Sequence, residues 1–172
     1  MNRTVLFIGV LIAAALVVIL VAGLGKDPSA IRTPLIGKPA PSFALREVGT
    51  NNTIDIAKFR GKPVVLNFWA TWCMPCWEEH PTLVATARAL QPNVQFLGVV
   101  FDDKEDKILG FLQQRGTSYP TVVDERGKTA IAYGVGGVPE TYFLDADGVI
   151  RSKYAGPMNT DIIQEHLQKV LR

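Results

Sequence analysis

Two cysteines stand three positions apart in Trp72-Cys73-Met74-Pro75-Cys76, and they are the only two among 172 residues. A bridge closing so short a loop constrains the unfolded chain little, so stability is a poor reason for the pair. A small secreted scaffold held by disulfides would carry more cysteines, spread along its length. The pair therefore reads as chemical. Thiol–disulfide exchange needs one thiolate that attacks and a second thiol close enough to resolve the mixed disulfide. Exchange of this kind needs no metal and no bound cofactor.

Two other uses of such cysteines fit less well. A structural zinc takes four ligands, and the chain offers only His80 and His166 beside Cys73 and Cys76. One of these histidines falls in the last helix, so no metal site is expected, and His80 reads as an ordinary helix residue. A Cys–His hydrolase needs a single nucleophile and leaves the second cysteine without a role.

The flanking elements sharpen this reading. Residues 64–69 are nearly all apolar and β-rich, as in a strand buried on both faces. The period then changes: Trp77, His80, Leu83, Val84, Ala87 and Leu90 predict one face of a helix over 74–90, with a kink at Pro81. Cys73 thus lands at a helix N-terminus, where free backbone N–H groups and the macrodipole favour a thiolate. Such placement lowers a cysteine pKa from about 8.5 into a range of roughly 3.5 to 7.5. Cys73 is the expected attacking thiolate and Cys76 the resolving thiol, while Met74 and Pro75 shape the turn between them without adding charge.

Short strands are expected at 43–45 and 53–55, a buried strand at 94–101, a helix around Ile108, Phe111 and Leu112, and a strand at 119–123. Segments 141–144 and 149–154 flank Asp145-Ala146-Asp147-Gly148, a hairpin signal. Residues 162–171 form an amphipathic helix, with Asn159 or Thr160 as cap. Strands alternating with helices describe a one-domain α/β sandwich. A second constellation, Gly134-Val135-Gly136-Gly137-Val138-Pro139-Glu140-Thr141, places a glycine-rich connection and a proline before a strand. Alone it reads as a simple connection.

Composition suits a globular domain: 48% of residues are hydrophobic and 20% charged. From Pro39 onward 14 Lys/Arg face 15 Asp/Glu, without a basic tract, so no nucleic-acid partner is expected. The N-terminus differs. Residues 5–24 run twenty positions without a charge, after Arg3 and before Lys26. As a helix that run is about 30 Å long, the thickness of a bilayer core, and longer than the roughly 7 to 15 apolar residues of a cleaved signal peptide. Residues 1–25 are therefore expected to be a retained single-pass anchor, although Val21-Ala22-Gly23 also fits a weak cleavage site. With Arg3 held in the cytoplasm the remaining chain lies outside. Residues 26–38 read as a linker and 39–172 as the folded domain.

Together these residues resemble the thioredoxin superfamily, and more closely its periplasmic DsbE/CcmG type, the thiol:disulfide interchange proteins of cytochrome c maturation. The resemblance runs over residues 34–171. It rests on Gly61-Lys62-Pro63-Val64-Val65-Leu66-Asn67-Phe68-Trp69-Ala70-Thr71-Trp72-Cys73, on Cys76 and Pro81, and on the glycine-rich segment continued through Tyr142-Phe143-Leu144-Asp145. It implies a thioredoxin-like sandwich, a central β-sheet flanked by helices, with residues 101–120 as this branch's inserted helix and strand. It also implies a cis peptide bond before Pro139, facing the cysteines, with the Val138 backbone open to an incoming polypeptide beside Trp72, Met74 and Pro75. Glu79 and Glu140 match the acidic residues described around the family's active site, where carboxylates can move protons to and from Cys76. Next to Glu79 the plain alternative is a solvated helix face. Met74 stands where a proline commonly follows the first cysteine, and Trp77 where a polar or basic residue is frequent; both bear on redox potential and partner.

By that resemblance the chain is a protein-disulfide reductase on the periplasmic side of the bacterial inner membrane. It takes electrons from a membrane donor of the DsbD/CcdA kind and passes them to apocytochrome c or another component of haem attachment. A broader extracytoplasmic thiol reductase of the TlpA or ResA kind is the alternative. A peroxidase wants a lone peroxidatic cysteine with a nearby Thr and a distant Arg. A pure haem or apoprotein chaperone has no use for two cysteines, and no Cys-x-x-Cys-His signature is present.

Overall fold

Apolar runs separated by helical periods assemble into one mixed sheet. The computed structural model describes residues 3–24 and 34–171, and in the first stretch the side chains of 3, 4 and 7–18. The described strands are β1 (Ala44–Glu47), β2 (Thr53–Asp55), β3 (Val64–Trp69), β4 (Gln95–Phe101), β5 (Thr121–Asp124), β6 (Glu140–Leu144) and β7 (Ile150–Ala155). The described helices are α1 (Arg3–Leu24), α2 (Met74–Leu90), α3 (Glu105–Arg115), α4 (Lys128–Tyr133) and α5 (Thr160–Gln168). The sheet order is β2-β1-β5-β4-β3-β6-β7. Pairs β3–β4 and β4–β5 are parallel, and the outer pairs are antiparallel. Parallel neighbours need a crossover, which α2 and α3 supply.

β3 lies inside the sheet with all six residues buried, as its uninterrupted apolar pattern requires. Its alternate residues feed two cores. Val64, Leu66 and Phe68 pack with Leu97, Val99, Tyr133, Tyr142 and Leu144 on one face. Val65 packs with Leu83, Ala87, Phe143, Ile163 and Leu167 on the other, against α2 and α5. A third cluster, at the C-terminal end of β3, gathers Trp69, Ala70, Cys73, Cys76, Val100, Ile108 and Phe111. The expected thioredoxin-like sandwich is thus the observed architecture.

Boundaries shift by local chemistry. The helix expected over 74–90 has those limits and runs on through Pro81. The last helix starts at Thr160 because Asn159 Oδ1 accepts from Ile162 N at 2.9 Å, which decides between the two expected caps. α4 was not expected: its six residues lie between Gly127 and Gly134, both left-handed (φ 63 and 66), so the helix is too short for a period to show. The β6–β7 hairpin closes as expected, with Asp145 Oδ1 accepting from Asp147 N and Val149 N.

The chain divides into two compact units between residues 32 and 33. The expected linker falls mainly on residues 25–33, outside the described residues. Just after them, Gly37 N donates to Ile150 O at 2.8 Å, Ile150 N to Lys38 O at 3.0 Å, and Leu35 packs on the first core. In the other unit α1 is 22 residues long, about 33 Å at the helical rise. Its described side chains include twelve uncharged positions in a row, 7–18. Among the described residues no helix is long and apolar enough to cross a membrane.

Candidate active site

Everything around the cysteines follows from where β3 stops and α2 starts. Thr71 and Trp72 bridge the two, and both are pinned. Asp103 Oδ2 accepts from Thr71 N at 2.6 Å, Trp77 Nε1 donates to Thr71 O at 2.7 Å, and Trp72 Nε1 donates to Asp102 O at 3.2 Å. Asp102 takes the left-handed backbone region (φ 46) to make that turn, a conformation Asp tolerates better than most residues. Trp77, a departure from the family pattern, therefore acts as a brace behind the cysteines. The Arg115 guanidinium carbon lies 4.8 Å from its ring centroid.

Cys73 caps α2: its Sγ accepts from Cys76 N at 3.2 Å. The two cysteines form a disulfide with Cα atoms 5.3 Å apart. No carboxylate stands in the first turn of α2, so nothing there opposes negative charge on Cys73. Cys73 is 4% exposed and Cys76 2%, whereas Trp72 (58%) and Met74 (65%) stand out into solvent on either side of Cys73. Pro75 is exposed beside them.

The Val138–Pro139 bond is cis, and Val138 packs against the cluster that contains both cysteines. The loop ahead of it is anchored at four points, the first being Gly134 N, which donates to Ile131 O at 3.0 Å. Val135 N donates to Ala130 O at 2.9 Å, Gly136 N to Glu140 Oε1 at 3.0 Å, and Pro139 O accepts from Gly156 N at 2.9 Å.

The two acidic residues occupy different places. Glu79 is 2% exposed, not on a solvated face. It follows Cys76 by three positions, on the same side of α2, with Cβ atoms about 5–6 Å apart by helical geometry. Its Oε1 accepts from Asn67 Nδ2 at 2.8 Å and its Oε2 from Met158 N at 3.0 Å. Burial pushes its pKa up to about 7, against both hydrogen bonds, which favour the charged form. Glu140 pairs in register with Phe68, and Thr141 with Asn67, so Glu140 belongs to the opposite face of the sheet from the Asn67–Glu79 contact. Glu140 Oε2 is 2.6 Å from Lys153 Nζ.

Of the residues singled out in the sequence, Cys73 and Cys76 with their neighbours Trp72 and Met74 lie at the C-terminal end of β3. Val138 and Pro139, which the resemblance puts there, precede the paired start of β6 at that same end. Sequence reading missed Asn67, Asp103 and Lys153. A lone Asn inside an apolar strand was the available signal for the first. The histidines are occupied elsewhere. His80 Nε2 lies 2.8 Å from Gly116 O with its ring against Phe111, and His166 Nδ1 lies 2.6 Å from Ser152 Oγ.

Comparison with known proteins agrees with this arrangement. Residues 36–153 match the AhpC/TSA family. The thiol:disulfide interchange protein DsbE of Pasteurella multocida is 36% identical over 148 residues, 85% of this chain and 80% of that protein. HelX of Rhodobacter capsulatus, also a thiol:disulfide interchange protein, is 37% identical, covering 85% of this chain and 82% of its own. A crystal structure of a putative DsbE from Chlorobium tepidum superposes with a TM-score of 0.73 at 26% identity, over 80% of this chain and 98% of that one. A Cys-x-x-Cys disulfide at the head of α2, in a thioredoxin-like sheet, and relatives of this closeness place the chain in the AhpC/TSA family as a thiol:disulfide interchange enzyme of the DsbE type.

Proposed function

We propose that this enzyme is a membrane-tethered, extracytoplasmic reductant of disulfides in cytochrome c maturation. The observation that carries the reading is the Cys73–Cys76 pair at the N-terminus of α2, in a cluster of buried side chains on which Val138 packs. In the dithiol form, the Cys73 thiolate attacks a client disulfide, and one client sulfur leaves and takes a proton. Cys76 then loses its proton and attacks Cys73 Sγ, releasing the second client sulfur. The client gains two electrons and two protons, one proton released by Cys76 and one taken from water, and Cys73–Cys76 becomes the disulfide. Glu79, one turn below Cys76 with a pKa of about 7, suits a group that accepts the Cys76 proton. The Val138 backbone, with Trp72, Met74 and Pro75, offers an extended polypeptide a place to pair.

Anchoring rests on the sequence: twenty uncharged residues after Arg3, and helical backbone over Arg3–Leu24. Residues 1–25 are the anchor, 26–38 the linker and 39–172 the catalytic domain, facing the periplasm of a bacterial inner membrane. A membrane thiol donor of the DsbD/CcdA kind re-reduces the pair, and apocytochrome c or a haem-attachment component is the client. Measuring the reduction potential tests the direction. A value near −270 mV fits a reductant, and one near −120 mV means that the pair inserts disulfides. A Cys73→Ser strain that still makes covalently haemylated c-type cytochromes normally overturns the role.

A further inference from the structure

Lys153 is an unusual cation for its position. β7 ends the sheet, yet the Lys153 side chain points inward and is only 7% exposed. Its Nζ lies 5.2 Å from the centroid of the Tyr142 ring and 2.6 Å from Glu140 Oε2. The N–O separation is short, but the angle is off that of a hydrogen bond, so charge holds the pair. Glu140 is buried too, at 3% exposed. Both of its oxygens are engaged: Oε1 accepts from Gly136 N at 3.0 Å, and Oε2 faces Lys153 and, at 3.4 Å, the Tyr142 hydroxyl.

We propose that Lys153 is a positioning residue for exchange with polypeptide clients: by neutralising Glu140 inside the protein, it keeps that carboxylate on Gly136 N–H and so holds the 134–139 loop against the cysteines. The loop is tied to α4 at Gly134 and Val135 and to β7's end at Pro139. Between those ties lies the stretch whose Val138 packs on the cysteine cluster, and Gly136 has no side chain with which to anchor it. A buried carboxylate without its cation is strongly unfavourable, and turning to water relieves that cost. Glu140 can turn outward only by releasing Gly136 N–H, which frees the loop. Glu140 is thus the post for the loop, on the opposite face of the sheet from Glu79.

An inward lysine on an edge strand also discourages edge-to-edge pairing. That role needs no acceptor at this loop and affects all disulfide substrates alike. The inference rests on the reading that polypeptides dock at Val138, and the test separates the two. With the full chain in detergent micelles, second-order rate constants are measured for a disulfide-closed Cys-x-x-Cys-His peptide and for bis(2-hydroxyethyl) disulfide, which has no backbone to dock. Wild type is expected to prefer the peptide; equal rates overturn the docking reading and this inference with it. If the preference exists, Lys153→Met is expected to reduce it at least tenfold. The double variant Glu140→Gln/Lys153→Met is expected to restore it to within threefold, because the uncompensated charge is gone and the amide oxygen still accepts from Gly136. A wild-type preference in Lys153→Met, or a double variant that folds without regaining it, overturns Lys153's role and leaves the docking reading intact. Should Lys153→Met not fold, the double variant decides.

Discussion

Asn67 Nδ2 donates to Glu79 Oε1 at 2.8 Å and to Thr141 Oγ1 at 2.9 Å, so one buried amide joins β3, α2 and β6 directly behind the cysteines. The amide and Met158 N both favour the charged form of Glu79, yet burial outweighs them and the pKa is about 7.

This raised value makes a pH prediction. Between the unfolded carboxyl's 4.5 and about 7 the native state binds the extra proton, so Glu79's contribution is most favourable below pH 4.5 and is lost as pH rises through 7. At 1.36 kcal/mol per pKa unit the loss is about 3 kcal/mol. Urea unfolding of the disulfide form at pH 5 and pH 8 should show the wild-type minus Glu79→Gln stability difference falling by that order. An unchanged difference would mean that Glu79 titrates normally.

His166 should oppose this trend on the acid side. Burial lowers its pKa first, and Lys169 nearby adds to the effect. Its ring sits against Phe143 (4.9 Å) and Tyr154 (5.6 Å), with Nδ1 on Ser152 Oγ. Below the unfolded value of 6.5 the unfolded chain takes up the proton more readily, so stability falls as pH drops from there towards the folded pKa. A Ser152→Ala/His166→Phe double variant replaces both polar partners with apolar groups. It should stay within about 1 kcal/mol of wild type at pH 7.5 and lose less stability at pH 5. Equal acid loss in both proteins would remove His166 from the account, leaving His80, whose pKa burial also lowers.

Much of this site could be read from residue order, and what could not has a physical cause. A strand, two cysteines and a helical period fixed the end of the sheet at which Cys73 sits. Glu79 was harder: Cys76, Glu79, His80, Leu83 and Ala87 share the buried face of α2, but a carboxylate in that pattern is ordinarily solvated. Its burial depends on Asn67 and Met158, from segments 12 and 79 residues away. Lys153 escaped for the same reason. Its partner Glu140 belongs to the neighbouring strand, and alternation along β7 says which face a residue takes, not what it meets there.

Trp77 braces the approach to Cys73 through one hydrogen bond and its ring. Trp77→Phe keeps a ring against Phe111 but loses the 2.7 Å bond to Thr71 O. The expected cost is about 1 kcal/mol in urea unfolding. Amide exchange should quicken most in residues 71–73, since Thr71 would then be held from the Asp103 side alone. Uniform acceleration across the domain would mean that Trp77 supports the fold generally instead of this turn.

Gly98 tests how tightly the strand behind the site is packed. A Cβ there would lie 2.9 Å from Trp69 Nε1 and 3.2 Å from Thr121 Oγ1. Trp69 cannot easily give way, because it is 3% exposed and flanked by Phe111 at 5.0 Å and His80 at 6.0 Å. Gly98→Ala should therefore cost about 1–3 kcal/mol as an overpacked core change. Trp69 belongs to the cluster that holds both cysteines, so reduction of the disulfide by dithiothreitol should also change in rate. Gly110→Ala is the control: nothing lies within 4 Å of its Cβ, and it sits inside α3. There the methyl should stabilise by about 0.5–1 kcal/mol, because alanine gives up less backbone freedom than glycine in a helix. If both variants moved in the same direction, the contact with Trp69 would not be what decides the cost at Gly98.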